Sequence, residues 1–188
     1  SQYVAEGREE QARQTYRQAL QTVLYLVTPA AVAFLLLGGP ICAALYQRGE
    51  FDASATASTA RALAFYAIGL PAMAAIRAAT PIFFAHKDTR TPTVCGVAAV
   101  VANLIGIQIL TPVLGFAGLA LSVGLSAVIQ VGIHLVVASR RYGAMGYAWI
   151  GWHWVVFSAI ATLAVLSASF VLRNGWLGFV PFGIIGRT

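Results

Sequence analysis

Charge is what this sequence has least of. Only 10% of its 188 residues are Asp, Glu, Lys or Arg, and 59% are hydrophobic, whereas a soluble domain carries roughly 25% charged residues. A chain so poor in charge cannot cover a surface that faces water, so it reads as an integral membrane protein. Acidic groups number six, and all of them fall in tails or loops. No paired carboxylates stand ready for acid–base chemistry, and neither a Walker loop nor a nucleophile elbow is present. An enzyme is therefore not expected, and no motif asks for a cofactor. Two cysteines, Cys42 and Cys95, fall near opposite ends of different predicted helices; they frame neither a disulfide scaffold nor a metal site and read as small apolar residues. His86, His134 and His153 lack ligand spacing, so no metal is expected either. The net charge of +6 does not imply nucleic acid. In the N-terminal tail Arg8, Arg13 and Arg17 are balanced by Glu6, Glu9 and Glu10, which leaves no basic patch for a phosphate backbone.

What is present is a series of charge-free runs. Residues 1–17 are polar with helical spacing and read as an amphipathic segment at the membrane face. Gln18 to Gln47 carries no charge and is about 45 Å long as a helix, longer than the roughly 30 Å hydrocarbon core, so it tilts or protrudes. Pro29 predicts a kink in it, and Gly38-Gly39-Pro40 a second weak point. A turn at Arg48 to Asp52 follows, where Asp52 or Ser54 is placed to cap the next helix. That helix runs from about Ala53 to Ala85, with interruptions expected at Gly69-Leu70-Pro71 and Pro81. After the loop His86 to Arg90, Thr91 predicts a hydroxyl cap and Pro92 a first-turn proline. The run Thr91 to Ser139 is too long for one span; Thr111-Pro112, Gly115 and Gly118 divide it into Thr91–Leu110 and Phe116–Ser139. Ile150 to Leu172 is the fifth span, with Trp149, Trp152 and Trp154 as interfacial anchors. Trp176 to Gly186 is too short to cross and predicts a partial sixth span.

The predicted fold class is all-α: a polytopic transmembrane bundle of about five spans plus a partial sixth. Its parts are the segment 1–17, four transmembrane helices over 18–141, and an accessory helix with a truncated end over 142–188. The chain begins at Ser1 without a signal peptide and stops just after an apolar run, so we expect a fragment of a larger membrane protein. Five spans alternate the loops between sides. One side collects seven Lys or Arg and the other three, and the positive-inside rule assigns the richer side, with the 86–90 loop, to the cytoplasm.

Two features carry chemistry. Arg77 is the one charge inside an apolar run, about 12 Å along the helix from the 86–90 loop. An arginine at the bilayer centre costs about 2.5–3.5 kcal/mol on insertion scales, so it does not face lipid. It either binds an anionic group in a cavity, where its forked donors suit phosphate, or it snorkels to the interface or pairs with a carboxylate elsewhere. The second feature is a stripe in the fourth span: Gly118, Ser122, Ser126, Gln130 and His134 recur every four residues. Such spacing is the common helix–helix contact in lipid, and it is also what the wall of a polar cavity would show. Gly96, Ala99, Asn103 and Gly106 repeat it more weakly in the third span.

The stretch Leu45 to Thr93 carries a resemblance. It contains the turn Arg48-Gly49-x-Phe51, then Gly69-Leu70-Pro71, Arg77, Pro81 with Phe84-Ala85, and Asp88-Thr89-Arg90-Thr91-Pro92. With Phe116-Ala117-Gly118-Leu119-Ala120, these resemble the MurJ (MviN) family of lipid II flippases, within the multidrug/oligosaccharidyl-lipid/polysaccharide exporter superfamily. The likeness covers about Arg13 to Arg141 and implies the later helices of the second of two lobes around a central cavity. It further implies a cytoplasmic-membrane protein whose partners are membrane lipids and lipid II, the undecaprenyl-diphosphate-linked peptidoglycan precursor. That substrate would pass from the inner to the outer leaflet by alternating access. Arg77 falls where relatives often carry lysine. The family's principal substrate-binding charges belong to the first lobe and to earlier helices of the second, neither of which is in this sequence. An exporter of the same superfamily with another cargo, or a membrane module that scaffolds partners without transport, remain the competing readings.

Overall fold

The computed structural model describes residues 9–48, 51–143 and 147–173. They form five helices: α1 (Glu9–Tyr46), α2 (Ala53–Ala85), α3 (Arg90–Leu114), α4 (Phe116–Tyr142) and α5 (Tyr147–Arg173). All five are long and apolar enough to cross a membrane. The all-helical bundle expected from the charge-free runs is what forms, and no strand occurs among the described residues. Gly49 and the run Trp176 to Gly186 lie outside the described residues.

Several boundaries differ from the sequence reading. Residues 9–17 are the first turns of α1, which is about 57 Å long at 1.5 Å per residue. The prolines do not end helices: Pro29 and Pro40 lie inside α1, Pro71 and Pro81 inside α2, and Pro112 inside α3. Each removes one donor without ending its helix. Only Gly115 divides the long run 91–139. Its φ of 61° and ψ of −140° form a conformation that a side chain opposes. The α3–α4 connection is that single residue.

The helices pack in the order α5, α1, α2, α4, α3, with α3 barely touching α2. In lipid no hydrophobic force drives helices together, so close backbone approach and hydrogen bonds must do it. The tightest approach joins α2 to α4: a Cβ on Gly69 would stand 2.2 Å from the Cα of Gly124. The pair α3–α4 repeats the device. A Cβ on Gly118 would stand 2.6 Å from the Leu110 carbonyl oxygen, and one on Gly106 would stand 3.2 Å from Ser122. Between α1 and α5 the indole of Trp154 donates to the Thr28 hydroxyl at 2.8 Å, and Tyr25 packs on Phe157 with ring centroids 4.8 Å apart. Trp154 thus links two helices, and Trp152 is 67% exposed.

These approaches carry a prediction. Gly69→Ala forces α2 and α4 apart and destabilises the bundle by about 3 kcal/mol, the upper end for overpacking. Gly132→Ala, with nothing within 4 Å of the new Cβ, is neutral or stabilising by up to about 1 kcal/mol. Thermal unfolding of the two variants in detergent distinguishes these outcomes.

Candidate functional site: a polar groove between α2 and α4

The parallel helices α2 and α4 touch at two places. One is the Gly69–Gly124 crossing. The other, further along both helices, is Phe83 against His134, edge to face with centroids 5.3 Å apart. Between these contacts lies a groove of about 230 Å³, lined by Met73, Ile76 and Arg77 of α2 and by Val123, Ser126 and Gln130 of α4. Arg77 is exposed in this groove. Among the described residues its guanidinium has no hydrogen-bond or ion-pair partner. Pro81, four residues on, has no N–H to offer the Arg77 carbonyl.

The stripe on α4 is divided between neighbours, and helix geometry explains why. A spacing of four residues advances about 40° per step against 3.6 residues per turn, so the face turns by about 160° from Gly118 to His134. Gly118 and Ser122 therefore meet α3, with the Ser122 hydroxyl donating to the Gly118 carbonyl at 2.7 Å. Ser126 and Gln130 reach the groove with Arg77. Ser126 donates to the Val123 carbonyl at 2.8 Å, and the Gln130 amide lies 4.0 Å from a Cβ built on Gly96 of α3. His134 is wholly buried beneath Phe83. Its Nδ1 donates to the Gln130 carbonyl at 2.9 Å, while Nε2 is buried without a partner. No group of metal-binding side chains forms among the described residues.

The loop motif folds into a junction of three helices. Helix α2 ends with the Asp88 N–H donating to the Phe83 carbonyl at 2.8 Å and the Lys87 N–H donating to that of Phe84 at 3.0 Å. This is a Schellman ending, usually built on glycine at the left-handed position; here that position is Lys87, with φ 59°. The ending presents the Asp88 carboxylate to α3. It accepts from the Thr91 N–H at 3.0 Å and the Thr91 hydroxyl at 2.6 Å. Asp88, not the Thr91 hydroxyl, is the cap, because α3 begins at Arg90 and leaves Thr91 inside the first turn with Pro92. Thr89 precedes the helix and makes no side-chain cap. From α4, Arg141 binds both the Asp88 carboxylate and the Thr91 hydroxyl. The Tyr142 ring stacks on His86 with centroids 4.0 Å apart. Arg48, at the other end of α2, is exposed, and its carbonyl accepts from the Phe51 N–H at 3.1 Å. Arg141 had no local signal in the sequence beyond its charge, since its partner lies 53 residues away.

The bonds from Thr91 hold the Asp88 carboxyl below its ordinary value, with Arg141 adding to the effect. A carboxylate with a depressed native pKa contributes stability that is whole above its unfolded value, near pH 4, and is lost as pH falls through the native one. We predict that Asp88→Asn lowers the melting temperature at neutral pH and removes part of the acid-side decline seen in the parent protein. Lys87→Gly relieves the left-handed conformation and raises stability by about 1 kcal/mol. Melting curves recorded from pH 3 to 7 test both.

Five membrane-length helices among the described residues, with such a groove between two of them, are those of a multi-pass membrane protein. Comparison with known proteins gives the family. The profile described as Lipid II flippase MurJ matches residues 1–184, and the chain belongs to that family. A probable lipid II flippase MurJ of Rhizobium tropici is 34% identical over 86% of this chain and 29% of its own length. The lipid II flippase MurJ of Burkholderia cenocepacia is 29% identical over 85% of this chain and 31% of its own. The chain thus spans about a third of the curated relatives it matches. A solved structure of lipid II flippase MurJ in an inward closed conformation superposes with a TM-score of 0.64, over 85% of this chain and 39% of that one; at 21% identity this speaks for the fold.

Proposed function

We propose that this chain is a piece of the second lobe of a lipid II flippase in the bacterial cytoplasmic membrane. The whole protein carries the undecaprenyl-diphosphate-linked precursor from the inner to the outer leaflet by alternating access. Family membership over 1–184 is the observation that carries this reading. The physical problem is a diphosphate headgroup that cannot cross hydrocarbon unaided. A protein solves it with a cationic, hydrated passage that opens first to one side and then to the other. Arg77 fits such a passage. It has no carboxylate among the described residues to neutralise it, and it stands beside the neutral polar groups Ser126 and Gln130. An anion reaching the groove would find a forked donor, which favours phosphate oxygens. The remaining lobe is the further partner this reading requires.

The test uses the full-length parent protein in a host depleted of its own flippase, with growth and outer-leaflet lipid II as readouts. The parent restores both. Arg77→Ala, at normal membrane level, lowers translocation about ten-fold or more, as expected when one charge-assisted contact is lost. Arg77→Lys keeps most of it. A well-expressed parent that fails to restore growth moves the reading to another cargo of the same superfamily, and full activity in Arg77→Ala removes this residue from the passage.

A further inference from the structure

A second groove, on the outer side of α3 and α4, has no part in the transport reading. It measures about 300 Å³, and its walls include Arg90, Thr91 and Val94 of α3 and Ile133, Val137 and Arg141 of α4. Its two ends differ in chemistry. The mouth, level with the 86–89 loop, carries guanidinium groups. Arg141 commits Nη1 to Asp88 and Thr91, yet its side chain is 56% exposed, and a guanidinium has five N–H donors. Arg90 is exposed, and its guanidinium has no hydrogen-bond or ion-pair partner among the described residues. Lys87 and Arg140, both exposed, stand nearby, so with Asp88 as the local carboxylate the mouth is net positive. Away from the mouth the surface is apolar. Val94, Val97 and Val101 are 66%, 61% and 50% exposed along α3, and among the described residues α3 packs on α4 and barely touches α2.

Cations at the level of the helix ends, followed by one apolar lane running into the membrane, match an amphiphile. The headgroup must be anionic and the tail must be hydrocarbon. Basic pockets between transmembrane helices are recognised binding places for anionic lipid headgroups, and each nearby Lys or Arg strengthens the attraction about five-fold. We propose that this groove binds an anionic glycerophospholipid. Its phosphate lies between Arg90 and Arg141, and an acyl chain runs along Val94 and Val137. A soluble phosphate would leave the apolar lane unused, and a zwitterionic lipid would leave the net charge of the mouth unmatched. Asp88 is part of the site at one remove: with Thr91 it holds Arg141 at the mouth through Nη1.

The experiment is native mass spectrometry of the full-length protein in mild detergent, titrated with phosphatidylglycerol and separately with phosphatidylcholine. Arg141 is left intact because it supports the three-helix junction. Arg90→Gln touches no described partner and weakens the tightest phosphatidylglycerol step about five-fold. Val137→Trp fills the lane and abolishes that step. Phosphatidylcholine binding is unchanged in both. Unchanged phosphatidylglycerol binding in Arg90→Gln overturns the proposal, even where Val137→Trp fails to fold. Equal losses for the two lipids also overturn it, since they describe a nonselective annular shell.

Discussion

The bundle depends on how closely α2 and α4 approach at Gly69 and Gly124. Water squeezes apolar surfaces together in a soluble protein, but lipid gives helices no comparable reason to associate, and contact between backbones has to supply it. A glycine on each side is what lets the α2 and α4 backbones meet. The other helices are arranged from that pair outward: α1 and then α5 on the α2 side, α3 on the α4 side. The same crossing shapes the arginine groove. Two parallel helices pinned at Gly69–Gly124 and again at Phe83–His134 leave a gap between the pins. Arg77 and Gln130 occupy that gap.

The second organising device is electrostatic and sits where the helices emerge. Lys87 accepts a left-handed backbone so that Asp88 can hook onto the end of α2, cap α3 and hold Arg141 of α4. An exposed ion pair alone contributes little. Here the carboxylate is also fixed by Thr91 on two sides, so the geometry is set before the arginine arrives. One short loop thereby couples three helices, and it places Arg141 where the outer groove opens.

Spans were legible in the sequence because hydropathy and charge are properties of the residues themselves. The run Gln18 to Gln47 announces a crossing whatever it packs against. Proline and glycine punctuation was less reliable. Pro71, Pro81 and Pro112 read as breaks, yet each lies within a helix, since in a membrane bundle neighbouring helices, hydroxyl side chains and small local adjustments can take up the freed carbonyl. Gly115 did divide α3 from α4, because its positive φ is a conformational requirement and not a preference. The cap of α3 was misplaced by three residues, as Ser, Thr and Asp all suit that role and only the fold chooses. Partners far apart in the chain left no trace: nothing near Trp154 points to Thr28, and nothing near Arg141 points to Asp88. The α4 stripe was visible as a spacing. Its division between α3, the groove and α2 follows from the 40° advance once the neighbours are known.

The single-residue turn at Gly115 bears on how the protein is made. A hydrophobic segment that leaves the ribosome alone can settle across the bilayer before the next one appears, provided the intervening loop has slack. Between Leu114 and Phe116 there is none. Gly118 also leaves room for α4 to lie against the Leu110 carbonyl of α3 near that bend. Helices α3 and α4 therefore have to enter the membrane as a hairpin, with the bend leading and the Asp88–Arg141 pair closing behind it on the side from which they came.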